Sequence, residues 1–140
     1  MIRHFLIAAF SVLLPAAAFA EDTKMHVTFD LGHTTLFATL DDTPAARDFA
    51  AMLPLTLTLS DYHGIEKVAD LGKRLDSTGM PASYTPQAGD ITQYAPWKNL
   101  ALFLKPFQNS NGLVRLGQFD GDFSALHQPG EIEVTISAAD

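Results

Sequence analysis

A two-residue alternation of apolar and polar side chains recurs along this chain and indicates a fold built mainly from β-strands. The alternation is strict in 55–59, Leu-Thr-Leu-Thr-Leu, and again in 131–137 near the C-terminus. Because successive side chains of a strand point to opposite faces, such segments predict strands with one buried face. The same period in 27–29 and 36–40, on either side of the turn residues 30–33, predicts a β-hairpin.

One segment, 43–53, has helical spacing instead. Thr43 is suited to the N-cap position, Pro44 fits the first helical turn, and Pro54 ends the pattern. One short helix is therefore predicted. Its apolar face consists of Ala46, Phe49, Ala50 and Leu53.

Further short strands are predicted in the rest of the chain, although Gly and Pro residues interrupt 60–90. Seven or eight strands with one main helix favour a closed or nearly closed β-barrel, because closure removes exposed strand edges. The predicted fold class is therefore mainly β. The additional strands are 66–71, 91–94, 100–104 and 113–119, with the second and third paired across 95–99, and a helical turn is predicted at 122–126.

The N-terminus has the pattern of an export signal. A positive charge at Arg3 precedes an apolar stretch, 5–14, and the small residues of an Ala-x-Ala site end at Ala20. The apolar stretch is shorter than the roughly 20 residues that span a bilayer, so we expect cleavage after Ala20 rather than a membrane anchor. We therefore expect a signal peptide at 1–20, one domain at 21–140, and an exported protein, periplasmic or secreted.

Charge and cysteine content restrict the partners of the mature domain. Once Arg3 leaves with the leader, eight Lys and Arg face sixteen Asp and Glu, a net charge of −8. This balance argues against nucleic acid as a partner, because phosphate binding depends on clustered basic side chains. The chain has no cysteine, which excludes disulfides, thiolate chemistry and a lipid anchor on an N-terminal Cys.

Four segments resemble the small bacterial cyclophilin-like domain proteins, and they follow one another in the order expected for that family. They are 43–57, 89–91, the run 94–103 that contains Ala-Pro-Trp-Lys-Asn, and Gly-Leu-Val-Arg-Leu-Gly at 112–117. The resemblance covers nearly all of the mature chain and implies a cyclophilin-like barrel. It implies a fold more than an activity, because fold and function are separable.

Peptidyl-prolyl isomerase activity is an alternative that follows from the same resemblance. True cyclophilins carry a Phe-His-Arg segment, followed closely by Pro-x-Phe-Met-x-Gln, and the guanidinium stabilises the twisted amide. This chain has Arg74 in Gly-Lys-Arg-Leu and only a loose match at 80–90, with a longer spacing from Arg74 to Gln87. The departure falls on the residues that the isomerase mechanism requires, so catalytic residues are not assigned.

The aromatic and basic residues around the turn at 96–97 are the better binding candidates. A concave apolar surface with a few polar groups is the usual form of a ligand site. Phe103, on a strongly apolar strand, is expected in the protein interior. The alternative is a purely structural role, in which the aromatics cap the core and the arginines are solvated ion-pair partners. The candidate ligand-binding residues are Arg74, Tyr94, Trp97, Asn99, Phe107 and Arg115.

No metal site or cofactor is predicted. The histidines of the mature chain lie far apart, and Asp-Gly-Asp at 120–122 lacks the other oxygen ligands of a calcium loop. The sequence thus favours an exported domain that binds a small molecule or a peptide segment near the turn at 96–97. The alternatives are an isomerase acting on exported proteins and an interaction module that docks an edge of the barrel on another protein.

Overall fold

The structure, a computed structural model, describes residues 9–14 and 24–139. The positive start of the predicted signal peptide and its cleavage site after Ala20 lie outside these residues. Residues 9–14 are described without regular secondary structure. In the part of the chain that is described, no helix combines the length and hydropathy needed to cross a membrane.

Eight antiparallel strands form a closed barrel, which confirms the predicted fold class. The strands are β1 (Met25–Asp30), β2 (Thr35–Leu40), β3 (Leu55–Tyr62), β4 (Glu66–Asp70), β5 (Ser83–Tyr84), β6 (Asp90–Tyr94), β7 (Asn99–Phe103), β8 (Ser110–Asn111), β9 (Leu113–Asp120) and β10 (Ile132–Ala138). Around the barrel they follow the order β1, β10, β3, β4, β7, β6, β9, β2, and β5 pairs with β8 in a separate two-stranded sheet. One helix, α1 (Pro44–Ala50), and two short 3-10 turns, Ala95–Trp97 and Ser124–His127, complete the described elements.

The local signals near the first helix act as predicted, although the helix is shorter. Thr43 caps it by accepting a hydrogen bond from the backbone N–H of Ala46 at 3.2 Å. The helix ends at Ala50, three residues before the predicted Leu53. The reason is a change of bonding, because the Leu53 N–H donates to the Ala50 carbonyl three residues back.

Alternation within each strand fills the barrel. Val134 and Ile136 of β10 are fully buried, as are Leu100 and Leu102 of β7. β9 and β2 approach so closely that a Cβ on Gly117 would lie 2.2 Å from the carbonyl oxygen of Thr39. Glycine at that position is therefore a packing requirement of the barrel wall.

Two long polar side chains are fully buried in the structure. The ammonium of Lys67 donates to the carbonyls of Gln128 and Gly130 at 2.8 and 3.0 Å and pairs with Asp61 at 2.6 Å. The Gln93 amide accepts from the backbone N–H of Leu75 at 2.8 Å and donates to the Lys73 carbonyl at 2.9 Å. Each side chain thus fastens a loop to the barrel through backbone groups.

The segment 105–112, between the predicted strands 100–104 and 113–119, contains β8. Its two residues pair with β5, and the Gly112 N–H donates to the Ala82 carbonyl at 2.9 Å. The Ala95 N–H in turn donates to the Gly112 carbonyl at 2.8 Å. These bonds hold the segment after β7 beside the 3-10 turn that carries Trp97.

Candidate ligand-binding site

An open cavity of about 680 Å³ lies along the outer face of β3, β4 and β7. Its volume falls within the range of small-molecule sites. The segment that includes β8 and the turn with Trp97 also contribute to its walls. The lining residues are Thr58, Ser60, Tyr62, Glu66, Val68, Ala69, Asp70, Tyr94, Trp97, Asn99, Phe103, Phe107, Gln108, Asn109, Ser110, Asn111 and Leu113.

The base of the cavity is a second apolar cluster, separate from the barrel interior. Ala101, Phe103 and Leu113 are buried in this cluster, and Val68 and Tyr94 pack against it. Ala101 and Phe103 alternate along β7 with residues of the main core, so they belong to the outer face of the strand. The outer face is therefore apolar at this place, although an outward strand face is usually polar.

Exposed aromatic rings surround this apolar base. The side chain of Trp97 is 62% exposed, and Phe107 and Tyr62 are 39% and 38% exposed. The Trp97 ring meets Tyr94 at 5.3 Å and Tyr62 at 6.2 Å between ring centroids, with interplanar angles of 87° and 78°. Three rings thus form a continuous wall with near-perpendicular corners.

Backbone contacts fix the turn that presents Trp97. Lys98 has a left-handed conformation, with φ of 58°, and its carbonyl accepts the N–H of Leu71 at 3.0 Å. Gly112 also has positive φ, and a Cβ there would lie 2.9 Å from Cδ of Pro96. The turn is therefore held between the end of β4 and the start of β9.

The charged groups along the cavity are carboxylates. Glu66 and Asp70 lie on the outer face of β4, and Asp70 is directly opposite Asn99 in the ladder with β7. Burial raises the pKa of the Glu66 carboxyl above its ordinary value of 4.5. The Oδ1 atom of Asn99 is buried and has no hydrogen-bond donor among the described residues.

Comparison with known proteins identifies the family. A model of the cyclophilin-like family matches residues 29–137. The chain belongs to this family. The solution structure of a hypothetical protein from Archaeoglobus fulgidus is similar to this cyclophilin-like domain, with a TM-score of 0.63 and 15% sequence identity over 84% of this chain and 96% of that one. At this identity the likeness concerns the fold alone, and comparison with curated proteins gives no match.

Four of the six candidate residues meet at the cavity of the cyclophilin-like domain. Tyr94, Trp97, Asn99 and Phe107 all line it, whereas the two arginines do not. Arg74 is exposed in the segment between β4 and β5. Ligand binding by all six residues stays a prediction, and the geometry favours the four that line the cavity.

Arg115 instead belongs to a polar cluster beside β5. Its Nε donates to Asp41 at 2.8 Å, and its Nη1 lies 3.4 Å from the Tyr84 hydroxyl and 3.7 Å from Asp90. Burial, together with the hydrogen bond to Asp90, raises the pKa of Tyr84. Burial alone would lower the pKa of Arg115, but the bonds to Tyr84 and Asp41 outweigh it and raise that pKa. The ion-pair interpretation of this arginine therefore accounts for its contacts.

Sequence reasoning did not identify the part of the cavity contributed by β3 and β4. Tyr62, Glu66 and Asp70 join the site because β4 pairs with β7, which is distant in sequence. The polar face of the strand at 55–62 carries one aromatic, Tyr62, and an aromatic on an otherwise polar face was a usable signal.

The described residues contain a second cavity but no metal-binding cluster. A second cavity of about 580 Å³ lies beside the turn between β1 and β2, with Phe37 and Asp120 in its lining and none of the six candidates. No group of three or more His, Cys, Asp or Glu with a metal-binding arrangement occurs in the part of the chain that the structure describes.

Proposed function

We propose that this cyclophilin-like domain is an exported binding module that takes a small molecule or a peptide segment into the cavity on the outer face of its barrel. The observation that carries the proposal is the exposure of Tyr62, Trp97 and Phe107 around an apolar base. Large exposed aromatics cluster on monomeric proteins mainly where another molecule covers them. The N-terminal signal pattern supports the export part of the proposal.

The isomerase alternative receives no support from the geometry of the cavity. A prolyl isomerase of the cyclophilin type needs a guanidinium beside the bound amide. Neither Arg74 nor Arg115 is among the residues that line the cavity.

The alternative of an interaction module that docks through an edge of the barrel is not favoured either. Every barrel strand has two neighbours, so the described barrel offers no unpaired strand for such docking.

Trp97 makes the binding proposal directly testable, because it is the single tryptophan of the chain. The purified protein is titrated with the neutral fluorophore N-phenyl-1-naphthylamine and with acetyl-Ala-Ala-Pro-Phe-amide, while Trp97 emission is recorded. We expect saturable quenching by at least one of these two probes. If neither probe changes the Trp97 emission or the thermal stability, the proposed site is wrong.

A matched pair of phenylalanine variants locates the binding. Phe107→Ala removes a cavity aromatic and should weaken binding at least about fivefold, because truncating a contact aromatic costs about 1 kcal/mol or more. Phe37→Ala removes a ring that is 58% exposed at the second cavity and should leave binding unchanged. Equal effects of the two substitutions would contradict the location.

Two separate measurements address the alternative activity and export. A proline-isomerisation assay on the same peptide, with Arg74→Ala as control, should show no acceleration above background. An acceleration that depends on Arg74 would instead establish the isomerase. N-terminal sequencing of the protein recovered from the exported fraction should begin at Glu21, and an intact Met1 would contradict the signal-peptide prediction.

A further inference from the structure

The cavity has a one-sided charge. Its acidic side chains are Glu66 and Asp70, and neither Lys nor Arg is among the described residues that line it. Along a strand, side chains four positions apart are separated by about 13 Å, so the two carboxylates flank the cavity rather than sharing one spot. A negative ligand would meet uncompensated repulsion here.

The aromatic wall lies beside these carboxylates along the strand ladders. Tyr62 faces Glu66 across the β3–β4 ladder, while Tyr94 faces Asn99 across the β6–β7 ladder. Trp97 bridges the two tyrosines with near-perpendicular ring contacts. Aromatic faces attract cations, and several rings arranged around one space are the usual receptor for a substituted ammonium group.

A buried amide oxygen in the cavity favours a ligand that donates hydrogen bonds. The Oδ1 atom of Asn99 is a buried acceptor with no donor among the described residues, and Asn99 lies directly opposite Asp70. A buried acceptor without a donor is costly, so a ligand that brings N–H groups to this end would be favoured. A primary ammonium has three donors and no acceptor.

Resting on the proposed binding function, we propose that the ligand of the cavity presents a protonated alkylamine to the wall formed by Tyr62, Trp97 and Tyr94. The carboxylates of Glu66 and Asp70 supply the opposite charge. The amine belongs either to a small molecule or to a lysine side chain of a peptide, which share this chemistry. The burial that disfavours the charged form of Glu66 would be offset by the incoming cation.

The decisive test compares two probes of the same shape, phenethylammonium and 2-phenylethanol, in calorimetric titrations of the purified protein at neutral pH. The ammonium should bind about tenfold or more tightly than the alcohol, because cation–π and carboxylate contacts act on the charged probe alone. Phenylacetate, which carries a negative charge, should bind more weakly than either probe.

Isosteric variants attribute the preference to the cavity. Glu66→Gln and Asp70→Asn each replace one carboxylate with a neutral amide of the same shape, and each should reduce the ammonium-to-alcohol ratio severalfold with little change for the alcohol. Asp30→Asn removes the same charge from an exposed position at the end of β1, where the paired residues Thr35 and Thr135 do not line the cavity, and it should keep the ratio. An equal loss in all three variants would show only an effect of net charge and overturn the assignment.

The outcomes separate this inference from the binding function beneath it. If the alcohol binds as tightly as the ammonium, the cavity binds ligands without regard to charge, and the inference alone fails. If neither binds while N-phenyl-1-naphthylamine still quenches Trp97, the inference again fails and the binding function stands. If no probe binds, both are wrong.

A second pair of probes distinguishes the two sources of the amine. Acetyl-lysine-methylamide and its norleucine counterpart differ only in the terminal ammonium group. Tighter binding of the lysine compound indicates a peptide partner. Phenethylammonium binding without any lysine preference indicates a free small amine.

Discussion

Replacing Lys67 with methionine tests how the loop 128–130 is fastened to the barrel. The lysine side chain is fully buried, and its ammonium bonds to the carbonyls of Gln128 and Gly130 and to the carboxylate of Asp61. Methionine keeps most of the apolar stem, so little cavity forms. The substitution therefore isolates the three polar contacts.

The expected cost follows from the burial of the ammonium. Each hydrogen bond from a charged donor contributes about 1.5–3 kcal/mol, although carbonyls near the surface regain some water when the donor leaves. Because the Asp61 side chain is 40% exposed, water replaces the ammonium there, and the cost comes mainly from the two buried bonds to carbonyls. We therefore expect the free energy of unfolding to fall by about 2–4 kcal/mol, which for a domain of this size corresponds to a fall in Tm of about 8–16 °C.

Urea denaturation of the wild type and the variant, followed by circular dichroism, measures this difference. Lys73→Met is the matched control, because Lys73 pairs with Asp48 at 2.8 Å while its side chain stays 48% exposed. Exposed pairs contribute about 1 kcal/mol or less. A loss below about 1 kcal/mol for Lys67→Met, or one equal to the control, would refute the view that this ammonium fastens the loop.

Three further predictions concern the contact between β9 and β2, the loop that Gln93 holds, and Glu66 in the cavity. Gly117→Ala places a Cβ against the Thr39 carbonyl and should lower the free energy of unfolding by at least about 1–3 kcal/mol, whereas unchanged urea midpoints would show that the strands separate easily. Gln93→Leu leaves the Lys73 carbonyl and the Leu75 N–H unpaired, and it should lower the free energy of unfolding by about 2–4 kcal/mol. The loosened loop should also be cleaved faster after Lys73, so equal digestion rates would contradict this prediction. Burial raises the pKa of Glu66 in the folded state above 4.5, so ionisation of this carboxyl destabilises the fold as pH rises above about 4.5. Glu66→Gln should therefore raise the Tm at pH 7 but not near pH 4. A Tm difference independent of pH would be inconsistent with burial as the cause.

The barrel could be predicted from the sequence because its strands bury one face in a continuous interior. Residues 55–59 and 131–137 show the alternation plainly, and they pair in the structure as β3 and β10. The ribbon of β5 and β8 could not be predicted, because two-residue strands are too short to show a period. Its pairing depends on backbone bonds between loops, which leave no apolar pattern.

The cavity was only half predictable, for a related reason. Tyr94, Trp97 and Asn99 lie on one hairpin, so their proximity follows from local pairing. Glu66 reaches the same cavity through the pairing of β4 with β7, a long-range contact that the local pattern does not specify. Arg74 is also a candidate from the sequence, but it is exposed in the loop between β4 and β5 and is not among the residues that line the cavity.

The outward position of the cavity divides the tasks of each strand between alternate residues. On β7, Leu100 and Leu102 belong to the core, while Asn99 and Phe103 line the cavity. Under the proposed function, substitutions at the lining positions change which molecule is accepted without disturbing the barrel interior. The same separation of outer and inner positions makes this face of the barrel a convenient place for engineering new specificities while the scaffold stays constant.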